Sequence, residues 1–195
     1  MLTCPSASIS KPKSLCANGF TLIELLIVVT IMVLVTGAII PSFSGYIRNQ
    51  NLKQAQEQVK SDLRTAQNKA LTGALSDQTI NSNPVTYWGV RFHPQTATDY
   101  NSYDLYVSDT NTGCPNSFVV GQLQETLQLS RELNFKSNSY QCLYFSLSNG
   151  ALNSLNFPSS HVLLGYTTSS NPGDCKKVVF NTNGLLYSTN DEVCN

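Results

Sequence analysis

Hydrophobic positions divide the chain into three stretches with different periods. From Phe20 to Ile40 they run almost without a break, FTLIELLIVVTIMVLVTGAII, and Glu24 is the only charge. A helix of that length rises about 30 Å, the thickness of a bilayer's hydrocarbon core. A buried core helix as long as this would normally keep a polar face, and this stretch has none. Beyond Pro41 the pattern becomes amphipathic. Leu52, Ala55, Val59, Leu63, Ala66 and Ala70 recur at intervals of three and four, with Gln, Lys and Arg between them. That is one stripe of a helix, and its small residues allow close packing against another helix or a sheet. Pro41 removes one backbone hydrogen bond and predicts a kink rather than a stop. One helix is expected from Phe20 to about Leu75, closed by Gly73 and the polar run SDQTINSNP.

From residue 84 the period shortens to two. TYWGVRF (86–92) and SYDLYVSD (102–109) read as strands joined by the polar loop HPQTATDYN. In the second, Tyr103, Leu105 and Val107 alternate with Asp104, Tyr106 and Ser108. LQETLQLS (123–130), QCLYFSLS (141–148) and HVLLGYTT (161–168) continue the series. KKVVF and LLYS flank Asn181-Thr-Asn-Gly184, a hairpin turn in which Asn-Gly supplies positive φ. Short strands between turn signals predict an antiparallel sheet or small β-sandwich. The fold class is therefore α+β, a long N-terminal helix packed on that sheet. The helix divides into a transmembrane half (20–47) and an amphipathic half (48–75), and residues 76–195 form a β-rich globular head.

Charge adds a constraint. Only 12% of the residues are charged, and the net charge of zero hides an uneven distribution. Residues 48–75 are basic on balance and residues 76–195 acidic. An acidic head argues against nucleic acid as a partner, because phosphate binding needs clustered Lys and Arg. Lys176–Lys177 is the one basic pair there and reads as a solvated strand end. Lys11 and Lys13 precede the apolar run, while Arg48, Lys53 and Lys60 follow it. The positive-inside rule alone therefore leaves the orientation open.

Six cysteines divide as two before the apolar run, Cys4 and Cys16, and four in the head: Cys114, Cys142, Cys175 and Cys194. An even number in an exported domain points to disulfides. Four cysteines allow three pairings. Cys114–Cys142 and Cys175–Cys194 are favoured because each closes a local segment. The sequence has no Cys-x-x-Cys pair, so no zinc site or other metal centre is expected.

The stretch ahead of the run has two lysines and no acid, like a secretory n-region. Pro41-Ser-Phe-Ser-Gly matches a small-x-small cleavage site poorly. Cleavage ahead of the run, keeping it as an anchor, fits better. Gly19-Phe-Thr-Leu-Ile-Glu24, followed by the apolar helix and a proline 21 residues after Phe20, resembles the signal of type IV prepilins and type II secretion pseudopilins. The resemblance implies removal of a leader (1–19) by prepilin peptidase between Gly19 and Phe20, and N-methylation of Phe20. It assigns Glu24 to assembly, through the Phe20 amine of a neighbouring subunit. The implied partners are other pilin or pseudopilin subunits, the membrane platform of the assembly machine and, before assembly, the lipid bilayer. The implied location is the cytoplasmic membrane, with the head outside the cytoplasm, and then a pilus or pseudopilus.

The individual positions also have physical readings. Glycine lets a peptidase approach the backbone closely. A carboxylate near the start of a membrane helix is costly unless paired, and its own helix N-terminus is one available partner. SDLRTAQNKALTGA (61–74), YWGVRF, SYDLYV and VVFNTNGLLY make the head resemble GspH/FimT-type minor pilins. A Cys175–Cys194 bridge would resemble the C-terminal disulfide-bounded region of many pilins.

Other chemistry has little support. His93 and His161 fall on different predicted elements, without a nucleophile elbow nearby. Asp109-x-Asn111-x-Gly113 matches half of a calcium loop but lacks the spaced Glu. Trp88 and the tyrosines read as core and sheet surface. The chain is expected to be a non-enzymatic filament subunit without a cofactor. The alternative is a pilin-like adhesin or DNA-uptake subunit.

Overall fold

The computed structural model describes residues 20–155, 157, 160–168, 174–181 and 186–190, the side chains of 38–43 and 190 excepted. The leader, Cys4, Cys16, Gly19, the Thr182–Gly184 part of the expected turn and Cys194 lie outside that description, while the helix backbone continues through Pro41. By contacts the chain divides into Met1–Ser44 and Gly45–Asn195.

Helix α1 spans Leu22–Leu71 and ends four residues earlier than its period implies. Its end is a Schellman closure. Ala74 N–H donates to Lys69 O and Gly73 N–H to Ala70 O, with Gly73 at φ 65°. Glycine takes that left-handed conformation without a Cβ clash. Lys69 in the last turn complements the negative end of the helix dipole.

The strands are β1 (Thr79–Ile80), β2 (Asn83–Pro84), β3 (Tyr87–Phe92), β4 (Ser102–Ser108), β5 (Leu123–Gln128), β6 (Leu133–Phe135), β7 (Gln141–Ser146), β8 (Leu152–Leu155), β9 (His161–Tyr166), β10 (Cys175–Phe180) and β11 (Leu186–Asn190). A five-stranded sheet has the order β5-β4-β3-β7-β8, and a four-stranded sheet the order β11-β10-β9-β6. β1 and β2 form a small separate hairpin, and every pairing is antiparallel. The architecture is α+β, a helix packed on antiparallel sheets. β1, β2, β6 and β8 do not announce themselves in the sequence, because two to four residues are too few to show a period.

All six stripe residues of α1, Leu52 through Ala70, are buried. They share one core with Trp88, Val90 and Phe92 of β3, Tyr103, Leu105 and Val107 of β4, and residues of β6, β7, β9, β10 and β11. Polar side chains fasten the helix to both sheets. Buried Gln56 donates to Lys177 O at 2.7 Å and Thr189 O at 2.8 Å. Arg64 donates to Leu186 O, and Tyr103 OH donates to Asp62 at 2.5 Å. Lys176, expected to be solvated, is buried, and desolvation holds its pKa below the ordinary lysine value.

The second face of the five-stranded sheet is buried as well. Tyr106, Cys142 and Tyr144 lie there under Cys114 and Phe118 of the 109–122 connection. The alternation in β4 predicts one wet face, yet every residue of that strand is buried. The Tyr106 ring occupies the space over Gly89, where an added Cβ would meet ring carbons at 2.4 to 2.7 Å. Glycine is needed at this point for that close approach.

Candidate functional site

The site begins where the helix begins. Phe20 precedes α1 and is exposed. Thr21 caps the helix: its carbonyl accepts from the Leu25 N–H at 3.2 Å, and its hydroxyl oxygen accepts from the Glu24 N–H at 3.3 Å. The Thr21 hydroxyl is 3.5 Å from Glu24 Oε2. This is the Thr-x-x-Glu spacing of a capping box. Glu24 therefore sits in the first turn, where the helix dipole favours a negative charge.

The following turns expose apolar side chains on every side, from Leu22 and Ile23 to Leu34 and Val35. No polar stripe interrupts them. Thr30 and Thr36 turn their hydroxyls back to Leu26 O and Met32 O, each at 2.7 Å. Their donors are thus satisfied within the helix, as a water-free surrounding demands. Such a surface calls for lipid or other apolar helices around it.

Residues 16–40 match the family model described as the prokaryotic N-terminal methylation motif. This stretch is a type IV prepilin-like signal. No curated protein and no solved structure matches the chain.

The prepilin-like signal implies processing by a prepilin peptidase and other pilin-type subunits as partners. Within it, Thr21 caps the helix turn that carries Glu24. Among the described residues, no helix is long and apolar enough to cross a membrane. The first half of α1, expected to span a bilayer, includes residues 38–43, whose side chains lie outside the described residues.

In the head, a disulfide joins Cys114 to Cys142, with a sequence separation of 28. It ties the 109–122 connection to β7. Cys175 is also disulfide-bonded.

Beside the first disulfide lies a buried ionic group that the sequence reading missed. Arg91 and Asp104 pair across β3 and β4. Arg91 Nη2 and Nε donate to Asp104 Oδ2 at 2.7 and 3.0 Å. Arg91 Nη1 donates to Pro115 O at 2.7 Å, and its guanidinium stacks 4.1 Å from the Phe118 ring centre. Thr126 donates to the other Asp104 oxygen. His93, expected in a polar loop, is buried instead, with Nε2 2.6 Å from Asp104 Oδ2 and Nδ1 2.7 Å from Asp99 Oδ2. Burial acts to lower the His93 pKa, but the two carboxylates overcome it and the value is raised. Burial acts to raise the Asp104 pKa, but hydrogen bonds from His93, Thr126 and Arg91 overcome that and the value is lowered. The cross-strand pairing of opposite charges is the signal by which this group could have been found.

Asp109 accepts from the Asn83 side chain at 2.9 Å and its carbonyl from the Thr86 hydroxyl. Among the described residues, no group of three or more His, Cys, Asp or Glu side chains could hold a metal ion.

Proposed function

We propose that this chain is a structural subunit of a type IV pilus or a type II secretion-like filament, a minor pilin or pseudopilin. Prepilin peptidase removes the leader after Gly19 and methylates the new amine of Phe20. The apolar half of the helix holds the subunit in the cytoplasmic membrane, with the head outside the cytoplasm. Assembly then transfers that half from lipid into a bundle of similar helices, guided by Glu24 and powered by a separate machine. The chain itself catalyses nothing in this reading.

The observation that carries the proposal is the methylation motif over residues 16–40. The helix surface described above supports it. The two threonines that lie within its exposed apolar surface bond back onto their own helix. A buried and disulfide-tied head agrees with a location outside the cytoplasm, where thiols oxidise.

Mass spectrometry of the mature protein tests the proposal. The expected product begins with N-methylated Phe20. An intact Met1 start, or a cut near residue 45, overturns it. Replacing Gly19 by a bulky residue should leave the leader attached, and Glu24→Ala should be processed normally yet fail to enter filaments.

A further inference from the structure

We propose that His93 is a proton-operated latch that fastens the 94–101 connection between β3 and β4 to the buried core of the head. The argument rests on the donors and acceptors around one ring. Both imidazole nitrogens lie within 2.7 Å of a carboxylate oxygen, Nε2 of Asp104 and Nδ1 of Asp99. The contact to Asp99 is an ion-pair contact that lies off the hydrogen-bond line. A neutral imidazole carries one N–H and one lone pair, so it satisfies only one carboxylate. The other nitrogen would then set a lone pair against an anion. Only the imidazolium suits both.

Charge balance leads to the same state. The groups that face one another are Arg91 from β3, Asp104 from β4, Asp99 from the connection and His93 itself. The Tyr140 ring meets the imidazole edge-on from the segment entering β7, at 5.4 Å. Two cations and two anions cancel when His93 is protonated. After proton loss one negative charge remains uncompensated.

The two carboxylates differ in what they can then do. Asp104 is held by Arg91 and Thr126, and its side chain is 3% exposed. Asp99 is 50% exposed and can turn to water. Deprotonation therefore releases Asp99 first. Asp99 O also accepts from the Ser102 hydroxyl and N–H at the start of β4, so its release loosens the turn that leads into that strand. Arg91 keeps Asp104 and Pro115, and the 109–122 connection stays closed. The latch is thus selective for one connection. It does not depend on the filament reading, because it concerns the head alone.

The experiment is a pH titration of the His93 ring by NMR on the full chain in detergent, with amide hydrogen exchange measured across the same range. The expected midpoint lies above the ordinary 6.5. Amides of 95–101, corrected for intrinsic rates, should lose about tenfold in protection as the ring deprotonates, while those of 113–118 do not change. That factor corresponds to a coupling of about one pH unit. Asp99→Asn should lower the midpoint and remove the pH dependence at 95–101. A midpoint at or below 6.5, or unchanged protection at 95–101 through the titration, overturns the proposal, and both are read on the unaltered protein.

Discussion

The most exposed consequence of the buried ionic group is the cost of removing its central anion. Asp104→Asn keeps the size of the side chain and takes away its charge. Asp104 Oδ2 accepts from Arg91 Nη2, Arg91 Nε and His93, while Oδ1 accepts from Thr126. Arg91 and Asp104 have side chains 8% and 3% exposed, so water cannot replace what the substitution removes. His93 can shed its proton and spare itself, but Arg91 cannot. Leaving a buried charge without its partner costs about 3–5 kcal/mol. A domain of this size stores about 5–15 kcal/mol in all. At about 2–4 °C per kcal/mol, Tm should fall by about 6–20 °C. The assay is urea and thermal unfolding of the unit from Gly45 onward, which retains every described core residue. Trp88, the single tryptophan, is buried and reports by fluorescence. Asp99→Asn, at a half-exposed site, should cost about 1 kcal/mol or less. Replacing the pair together, Arg91→Met with Asp104→Leu, should recover much of the loss because no lone charge remains. A cost below about 1 kcal/mol for Asp104→Asn would refute the reasoning, since it would mean that the group is solvated.

Stability should depend on pH with two opposite limbs. The raised His93 pKa contributes fully below the ordinary 6.5 and is lost as pH rises through the folded value. The lowered Asp104 pKa contributes above the ordinary 3.8 and is lost as pH falls through its folded value. Tm measured against pH should therefore peak between about pH 4 and pH 6.5, and Asp104→Asn should flatten both limbs. Replacing Cys114 and Cys142 by alanine reopens a loop with a separation of 28 residues and should cost about 3–4 kcal/mol in urea unfolding. Gly89→Ala drives a methyl into the Tyr106 ring and should cost about 1–3 kcal/mol, while Gly113→Ala, with nothing within 4 Å, should cost less than about 0.5 kcal/mol by the same measurement.

The parts of the fold that were legible in the sequence are those governed by a long period. The stripe from Leu52 to Ala70 identifies its buried face because six positions repeat over five turns. β3, β4, β7, β9 and β10 follow their predicted stretches within a residue or two. Gly73 does help to close the helix as expected, but as the C′ glycine of a closure that starts at Leu71, so the end lies four residues before Leu75. Phe20 and Glu24 stand out in the sequence because a short motif states their spacing, and the structure adds Thr21 as the cap between them.

Why the buried ionic group escaped notice follows from what covers it. Alternation in β4 says which residues share a face, and it places Asp104 and Tyr106 opposite Leu105 and Val107. It does not say whether a face meets water. That is decided by the 109–122 connection, whose Cys114, Pro115 and Phe118 are brought onto the sheet by the disulfide, by Arg91 and by the hydrogen bond from Tyr144 to Gly113. The clue lay in composition along that face. Gly89, Tyr106, Cys142 and Tyr144 make poor solvent-facing residues but good ones under a lid. Once the face is covered, Arg91 and Asp104 must pair, because neither can be left alone away from water. His93 joins them because it directly follows β3 and meets Asp104 from the same edge. The polar half of an amphipathic strand is therefore a statement about residue type, and the connection that crosses it turns that face into a second core.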